Sequence, residues 1–421
     1  MSFFDNRYYY LNKRLLSIIG QWPFQSRLKG NIMFAVASFF IFSFSSIQTW
    51  GLVAGITDLG IIMKNGSQVL VHSYIIIKLI NCAVTNNKMK VLLEDVEETW
   101  KMKQSGPERE ILQCHAETSR IFTKRFMIAF YTTWVLYIMP WVIARGMYKL
   151  SPTNKTYTAK FLYRIEHVLD MDKYYNLLLL HGLMAAFFLL TVSISINAVF
   201  TVCTLHICAL FECLRYNVER IRSTDPVSLE PNIKDDESYH DLIACVKSHK
   251  HALKLSDILS SNYSMAYFFH LGSVVISLSF GSAEVNIQIK YKHFKLLLLF
   301  LYVKCLIMLR FKIIMLDLKL GEIISILSLN ITQLVHIFSL CMLSQRLTNR
   351  SSEVQDIIYS CDWYRMSLRS RRLVMFTLMG ANKPCYIKAG MMFVMSMETF
   401  SSILKLSLSY FTVLTSLQNE Q

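Results

Sequence analysis

The last apolar stretch of the chain carries a row of hydroxyl side chains. Thr399, Ser402, Leu406, Ser409, Val413 and Ser416 recur at three or four residues, so they share one face of an α-helix. Phe400, Ile403, Leu404, Phe411 and Leu414 fall elsewhere. A hydroxylated face broken by Leu406 and Val413 suits the wall of a water-filled path whose apolar constriction gates by dewetting. Small residues that let helices pack closely are the plainer account of the same pattern. Glu398 and Lys405 stand seven apart in this run. Intramembrane charges mark functional sites by default; these either border a conduction path or neutralise each other within the protein.

A second set would make walls. Trp134, Tyr137, Ile138 and Trp141 crowd one apolar run, and Trp134, Ile138 and Trp141 share a helical face. His72, Ile75 and Ile76 open another run, Leu180, Met184 and Phe187 a third, and Ile324 and Leu327 a fourth. A cavity among them would be aromatic and apolar with few donors, suited to a small volatile molecule. Burying about 200 Å² of such a molecule gains on the order of 5 kcal/mol from desolvation, before ordering losses. Ordinary core packing or an aromatic belt at the lipid interface accounts for the same residues, and His72 also reads as a satisfied core histidine.

The residues that would carry catalysis are missing. The ten cysteines form no CxxC pair and no Cys/His metal spacing, so neither a disulfide framework nor a metal cofactor is expected. No Ser/His/Asp set and no Gly-rich phosphate loop stands out, which argues against an enzyme. The 421 residues are 53% hydrophobic and 17% charged, with a mean hydropathy of +0.36. A soluble protein carries about a quarter of its residues charged, so the composition is that of a helical membrane protein. The net charge of +15 does not point to nucleic acid, because the basic residues lie between long apolar runs, as in cytoplasmic loops. The N-terminus shows no cleavable signal pattern.

Seven runs are long and apolar enough to span a bilayer: 31–53, 67–86, 126–147, 176–206, 261–283, 322–344 and 390–417. Five Lys/Arg precede the first, and the loops 87–125, 207–260 and 345–389 carry eight, seven and eight. On the other side 54–66 has one, 148–175 five and the tail none. The positive-inside rule therefore puts the N-terminus in the cytoplasm and the C-terminus outside. Two glycosylation sequons, at Asn65 and Asn154, then fall in outer loops. The inner loops read as helices: Met89, Leu92, Val96 and Trp100 keep a helical period, and Leu210, Leu214, Val218 and Ile221 prolong the fourth span. They suggest a cytoplasmic helical bundle where subunits meet; a solvated amphipathic loop is the alternative. Without an evident internal repeat, an inverted-repeat transporter is disfavoured. A G-protein-coupled receptor is excluded by orientation, by the lack of Asp-Arg-Tyr after the third span, and by the displaced Asn382-Lys-Pro-Cys-Tyr386.

The C-terminal third carries a specific pattern. Gln345-Arg-Leu-Thr-Asn-Arg-Ser-Ser352 is followed by Ile358-Tyr359, Trp363-Tyr364, Lys383-Pro384, Gly390, Phe393 and Met397-Glu-Thr-Phe400; Ile403-Leu-Lys405 and Ser409-Tyr-Phe-Thr-Val-Leu414 close it. This order and spacing resembles the insect odorant receptors over about 323–417, and the match elsewhere rests on topology, loop lengths and size. The second inner loop lacks a long insertion, so the chain looks like a tuning subunit. The resemblance implies an all-α membrane protein of seven helices acting as a ligand-gated non-selective cation channel. Its tetramer is shared with an odorant co-receptor, in the plasma membrane of olfactory neurons. Small volatile odorants, permeant cations and membrane lipid are the implied partners. In that family the last helix lines one central pore, the cytoplasmic extensions and the segment before the last span form the anchor, and odorants bind in the outer half of the bundle. By alignment Val413 then takes the gate position and Ser416 the neighbouring polar filter position, although serine is shorter than the amide found there in the co-receptor. The expected segments are an N-terminal piece at 1–30, spans one to five with the ligand bundle at 31–285, the sixth span and anchor at 321–389, and the pore span at 390–417. A gustatory-type receptor would carry a Thr-Tyr-x-x-x-x-x-Gln-Phe pattern in its last span, which is lacking here; a non-conducting transporter would lean on Glu398 and Lys405.

Residues 286–320 depart from the family. They hold seven Lys/Arg and one acid, where a short outer loop is expected. Three readings are open: an eighth span, which would reverse the C-terminus; an amphipathic helix in the outer interface; or a translated retained intron, favoured because the residue types have AT-rich codons.

Overall fold

The computed structural model describes residues 3–57, 59–150, 171–221, 236–300 and 309–419. The chain is almost wholly helical. A short turn at Phe3–Asp5 leads into α1 (Tyr10–Ile18), α2 (Arg27–Ala54), α3 (Leu59–Val84), α4 (Asn86–Met102) and α5 (Pro107–Leu150); α6 (Met171–Arg220), α7 (Glu237–Phe300) and α8 (Leu309–Ser360) follow. α9 (Leu368–Ala381), a two-stranded hairpin of β1 (Lys388–Ala389) and β2 (Phe393–Val394), and α10 (Met397–Asn419) complete it. Among the described residues, helices covering Arg27–Ala54, Asn65–Val84, Asn176–Arg220, Glu237–Asn286 and Ile323–Arg365 are long and apolar enough to cross a membrane. α5 and α10 occupy the other two expected spans; hydroxyl groups and Lys405 dilute the hydropathy of α10.

α6 is the hub. From Phe188 to Leu214 almost every side chain is buried, polar ones such as Thr191, Ser193, Asn197, Thr201 and Thr204 included, because neighbours surround the helix on all sides. α5 and α8 pack on it, α7 joins α3, α6, α8 and α10, and α2 closes against α3 and α6. Gly281 lets α7 approach α8, since a Cβ there would lie 2.5 Å from Asn330 Oδ1.

The long helices outrun their spans at the end expected to be cytoplasmic, as the periodicity at 87–120 and 207–221 implies. At about 1.5 Å per residue, the 64 residues of α7 reach roughly 96 Å, some three times the hydrocarbon thickness. Carboxylates tie this end together. Asp95 on α4 accepts from His206 Nε2 of α6 at 3.0 Å and from His251 Nε2 of α7 at 2.7 Å. Burial alone would raise its carboxyl, yet the two imidazoles hold it below its ordinary value. Glu212 on α6 meets His115 of α5 at 2.7 Å and Arg350 of α8 at 3.8 Å. Asp236 caps α7 by accepting from Tyr239 N at 3.0 Å, while Ser367, the N-cap of α9, donates to it at 2.5 Å.

Three expected boundaries move. The last span does not begin at 390: Gly390 takes φ +64° and the chain turns through the hairpin, so the helix starts at Met397. The turn is docked on α7, with Gly390 N donating to Ser264 O at 2.9 Å and Ser264 Oγ to Gly390 O at 3.1 Å. α3 begins at Leu59 instead of 67, which places Asn65 inside a helix at 6% exposure, with Ser67 bonded to Ser277 of α7. The outer loop expected around Asn65 is thus taken into the helix. Asn154 lies outside the described residues. The backbone of 286–300 prolongs α7, and that of 309–320 opens α8; the rest of that basic segment also lies outside them.

Candidate functional site

Six helices enclose a cavity of about 150 Å³. α2 gives Phe44 and Gln48; α3 gives Ser67, Gln68, Val71, His72, Tyr74 and Ile75; α5 gives Phe130, Thr133, Trp134, Tyr137 and Ile138. Gly182, Leu183, Ala186, Leu189, Leu190 and Ser193 of α6, His270, Ser273 and Val274 of α7, and Ser328, Leu329, Thr332, Gln333 and His336 of α8 complete the wall. A pocket of this volume accepts a benzene-sized molecule. Its walls are mostly apolar, with a few polar groups held in place: Gln48 Nε2 donates to Gln68 Oε1 at 3.3 Å, Gln68 Nε2 to Tyr137 Oη at 3.1 Å, Thr332 to Thr133 at 2.9 Å, and Gln333 Nε2 to Ser277 Oγ at 2.8 Å.

Of the ligand residues expected from sequence, the structure gathers His72, Trp134, Tyr137 and Ile138 around this space. The side chain of Trp141 lies outside the described residues. Leu180, Ile324 and Leu327 point outward and stand exposed. Ile76, Met184 and Phe187 pack on the core beside the cavity. Some of these residues face the cavity and others do not, because a helix apolar all round does not advertise its inner side. The Nδ1 of His72 is buried with no hydrogen-bond partner among the described residues. Sequence reading missed Gln68, Thr133, His270, Thr332, Gln333 and His336, although each was visible as a polar residue inside an apolar run.

α10 is held along one edge. Ile403 and Ser407 are buried, and Ser279 Oγ of α7 donates to Ser407 O at 3.1 Å. Ser402, Leu406 and Val413 line a groove of about 850 Å³ between α10, α3 and α7. Ser409 and Ser416 stand exposed, as do Lys405 and Thr412. Among the described residues nothing in this chain covers them. Glu398 and Lys405 are both exposed and no ion pair joins them, so mutual neutralisation drops out. Tyr74 and Ser273 belong to both the cavity wall and the groove wall, so one layer of side chains separates the enclosed space from α10.

The model of the family described as 7tm odorant receptor matches residues 63–316 and 282–408, the two stretches overlapping across the basic segment. Putative odorant receptor 85d of Drosophila melanogaster is 28% identical over 96 residues, 23% of this chain and 23% of that protein. The odorant receptor coreceptor of Aedes aegypti is 24% identical over 173 residues, 41% of this chain and 30% of that one. The alignments thus span less than a third of the length of these curated relatives. The solved structure of the insect olfactory receptor OR5 from Machilis hrabei in complex with eugenol superposes with a TM-score of 0.74, covering 97% of both chains at 15% identity, which makes the fold the same. The chain belongs to the 7tm odorant receptor family, a family of multi-pass membrane receptors and not of enzymes.

Proposed function

We propose that this chain is an odorant-gated cation channel subunit. It binds a small volatile molecule in the six-helix cavity and contributes α10 to a central pore shared with an odorant co-receptor, in the plasma membrane of an olfactory neuron. The observation that carries the reading is the state of α10. It is a membrane-length helix docked along one edge, with Ser409, Thr412, Ser416 and Lys405 uncovered. Hydrocarbon is a poor solvent for such a face; water and neighbouring copies of the same helix are good ones. The proposed orientation has the N-terminus inside and the C-terminus outside, following the basic inner loops. The helical end bearing α4 and α9 is then the cytoplasmic anchor. Exposed Met375, Phe376 and Met379 on α9, and Met391, Met392 and Phe393 at the hairpin, supply the apolar area that assembly would bury.

The mechanism is a population shift. A ligand that fits the open-state cavity better favours that state by its differential affinity. Tyr74 and Ser273 pass the change to α10, and Val413 moves off the axis while Ser409 and Ser416 keep the path wet. Leu406 and Ser402 lie deeper along the same face. The relative solved with eugenol supports a small aromatic volatile as one ligand class.

Cells co-expressing the chain and a co-receptor, recorded during a panel of volatiles, test the reading. Odour-evoked cation current that Val413→Trp suppresses at unchanged surface abundance is expected. Current from surface-expressed complexes that Val413→Trp leaves untouched would overturn the constriction, and an N-terminal tag reached by antibody on intact cells would overturn the orientation.

A further inference from the structure

Lys78 lies six residues before the C-terminal end of α3, in a helix long and apolar enough to cross the membrane, and it is 1% exposed. Its amino group donates to Asn197 Oδ1 at 2.6 Å, to Ser193 O at 3.4 Å and to His336 Nε2 at 3.4 Å. A lysine has three N–H donors and no acceptor, so these contacts use all three. With the lysine protonated, the third makes His336 Nε2 an acceptor and leaves the ring proton on Nδ1. Ser193 and His336 are themselves cavity wall. The His336 ring lies 4.4 Å from that of His270, which stacks on Tyr74 at 4.0 Å.

Tyr74 Oη, His270 Nδ1 and Asn197 Nδ2 are buried and without hydrogen-bond partners among the described residues. At this inner end of the cavity Tyr74 and His270 belong to the wall, and Asn197 stands behind it beside the buried amino group. Its counter-ion is missing: no Asp or Glu lies within ion-pair distance of Lys78 among the described residues, and the described wall of the cavity contains neither. A buried amine holds its charge poorly without an anion, and here the protein supplies hydrogen bonds alone, so an incoming carboxylic acid that brings both the proton and the anion completes the pair. The rest of the space, towards Trp134, Ile138 and Leu183, is apolar.

We propose that this inner end is a headgroup subsite for small volatile carboxylic acids. The carboxylate sits among His336, His270 and Tyr74 with Lys78 behind as the countercharge, and the hydrocarbon tail fills the apolar part. An aldehyde, alcohol or hydrocarbon of the same length fills the tail space equally but brings no charge. A molecule of about six to eight heavy atoms matches the volume. The assignment rests on the reading of the cavity as the ligand site and adds to it the class of ligand.

The test uses hexanoic acid, hexanal, 1-hexanol and hexane on the full-length receptor, in two readouts. In cells co-expressing the co-receptor, hexanoic acid is expected to evoke current at concentrations about tenfold or more below those needed for 1-hexanol, since bonds to a charged group are stronger than neutral ones. Lys78→Met is expected to erase that preference. With purified receptor, hexanoate is expected to raise the melting temperature more than 1-hexanol at equal concentration. His336→Gln serves where the lysine variant does not reach the surface, with the same loss of acid preference expected. Equal or better responses to the alcohol or aldehyde in the unmodified receptor, or equal melting shifts, would overturn the headgroup assignment and leave the channel reading standing. Acid-selective stabilisation with no current from any ligand would uphold the assignment and overturn the channel reading.

Discussion

Replacing Asp95 with alanine removes an acceptor that joins three helices, and the structure predicts how unequally its two partners will feel the loss. The His251 contact is the shorter, 2.7 Å against 3.0 Å for His206, so distance alone would rank it first. Burial reverses the order. The His206 side chain is 5% exposed and that of His251 is 46% exposed. Without Asp95, His251 turns to water at little cost, as for most exposed ion pairs, which contribute about 0.2–1 kcal/mol. His206 has no water to turn to, and an orphaned buried donor costs about 1–3 kcal/mol, with bonds to charged groups at the upper end. Asp95→Ala should therefore destabilise the receptor by about 2–3 kcal/mol, nearly all of it through His206. A double-mutant cycle separates the two contacts. The Asp95/His206 pair should show a coupling of about 1.5–3 kcal/mol, and Asp95/His251 less than about 1 kcal/mol. Melting midpoints of purified single and double alanine variants supply the measurement. Equal couplings, or a larger one for His251, would refute the ranking by burial.

Three further outcomes are expected. The same end of the bundle should lose stability in mild acid: burial, against the pull of Glu212 and with Arg346 and Arg350 nearby, holds the His115 pKa below its ordinary value. The unfolded chain then binds the extra proton first, stability rises with pH, and it is lost as pH falls through about 6.5, the unfolded value. Melting curves between pH 7.5 and 5.5 should show this slope, and His115→Gln should flatten it. Gly390→Ala should cost at least about 1 kcal/mol, since the residue holds φ +64° and a Cβ would lie 2.9 Å from the Phe268 ring; a lowered melting point together with weaker co-receptor capture would follow, and an unchanged one would contradict the docked turn. Tyr74→Ala should raise the ligand concentration for half-maximal current and lower the maximal current, because it opens the wall between cavity and groove; a change in apparent affinity alone would deny it a part in transmission.

What could be read from the chain depended on how each signal is written into it. Apolar runs of span length are averages over many residues, so the order of the long helices was legible, and so was the helical character of the segments between them, through Met89, Leu92, Val96 and Trp100, all four buried. Single-residue geometry was less so. The hairpin before α10 hides in an apolar stretch, and Gly390 was its one overt mark; α3 runs through Asn65 although Gly60, Lys64 and Gly66 read as loop residues.

The cavity shows the limit most sharply. In α6 the stretch Leu179 to Met184 is apolar at every position but His181, so periodicity cannot choose Leu183 over Leu180. Polar residues in the same runs could have chosen, because a polar group in hydrocarbon must face protein or a cavity. Lys78, Gln68, His270, Gln333 and His336 all obey that rule, and four of the five line the cavity while the fifth backs it. Glu398 and Lys405 are exposed on α10, whereas Lys78 is buried against the cavity-wall residue His336. In a bundle whose helices are apolar all round, the inward face is marked by the residues least welcome in lipid, and the aromatic rings that first draw the eye are compatible with either side.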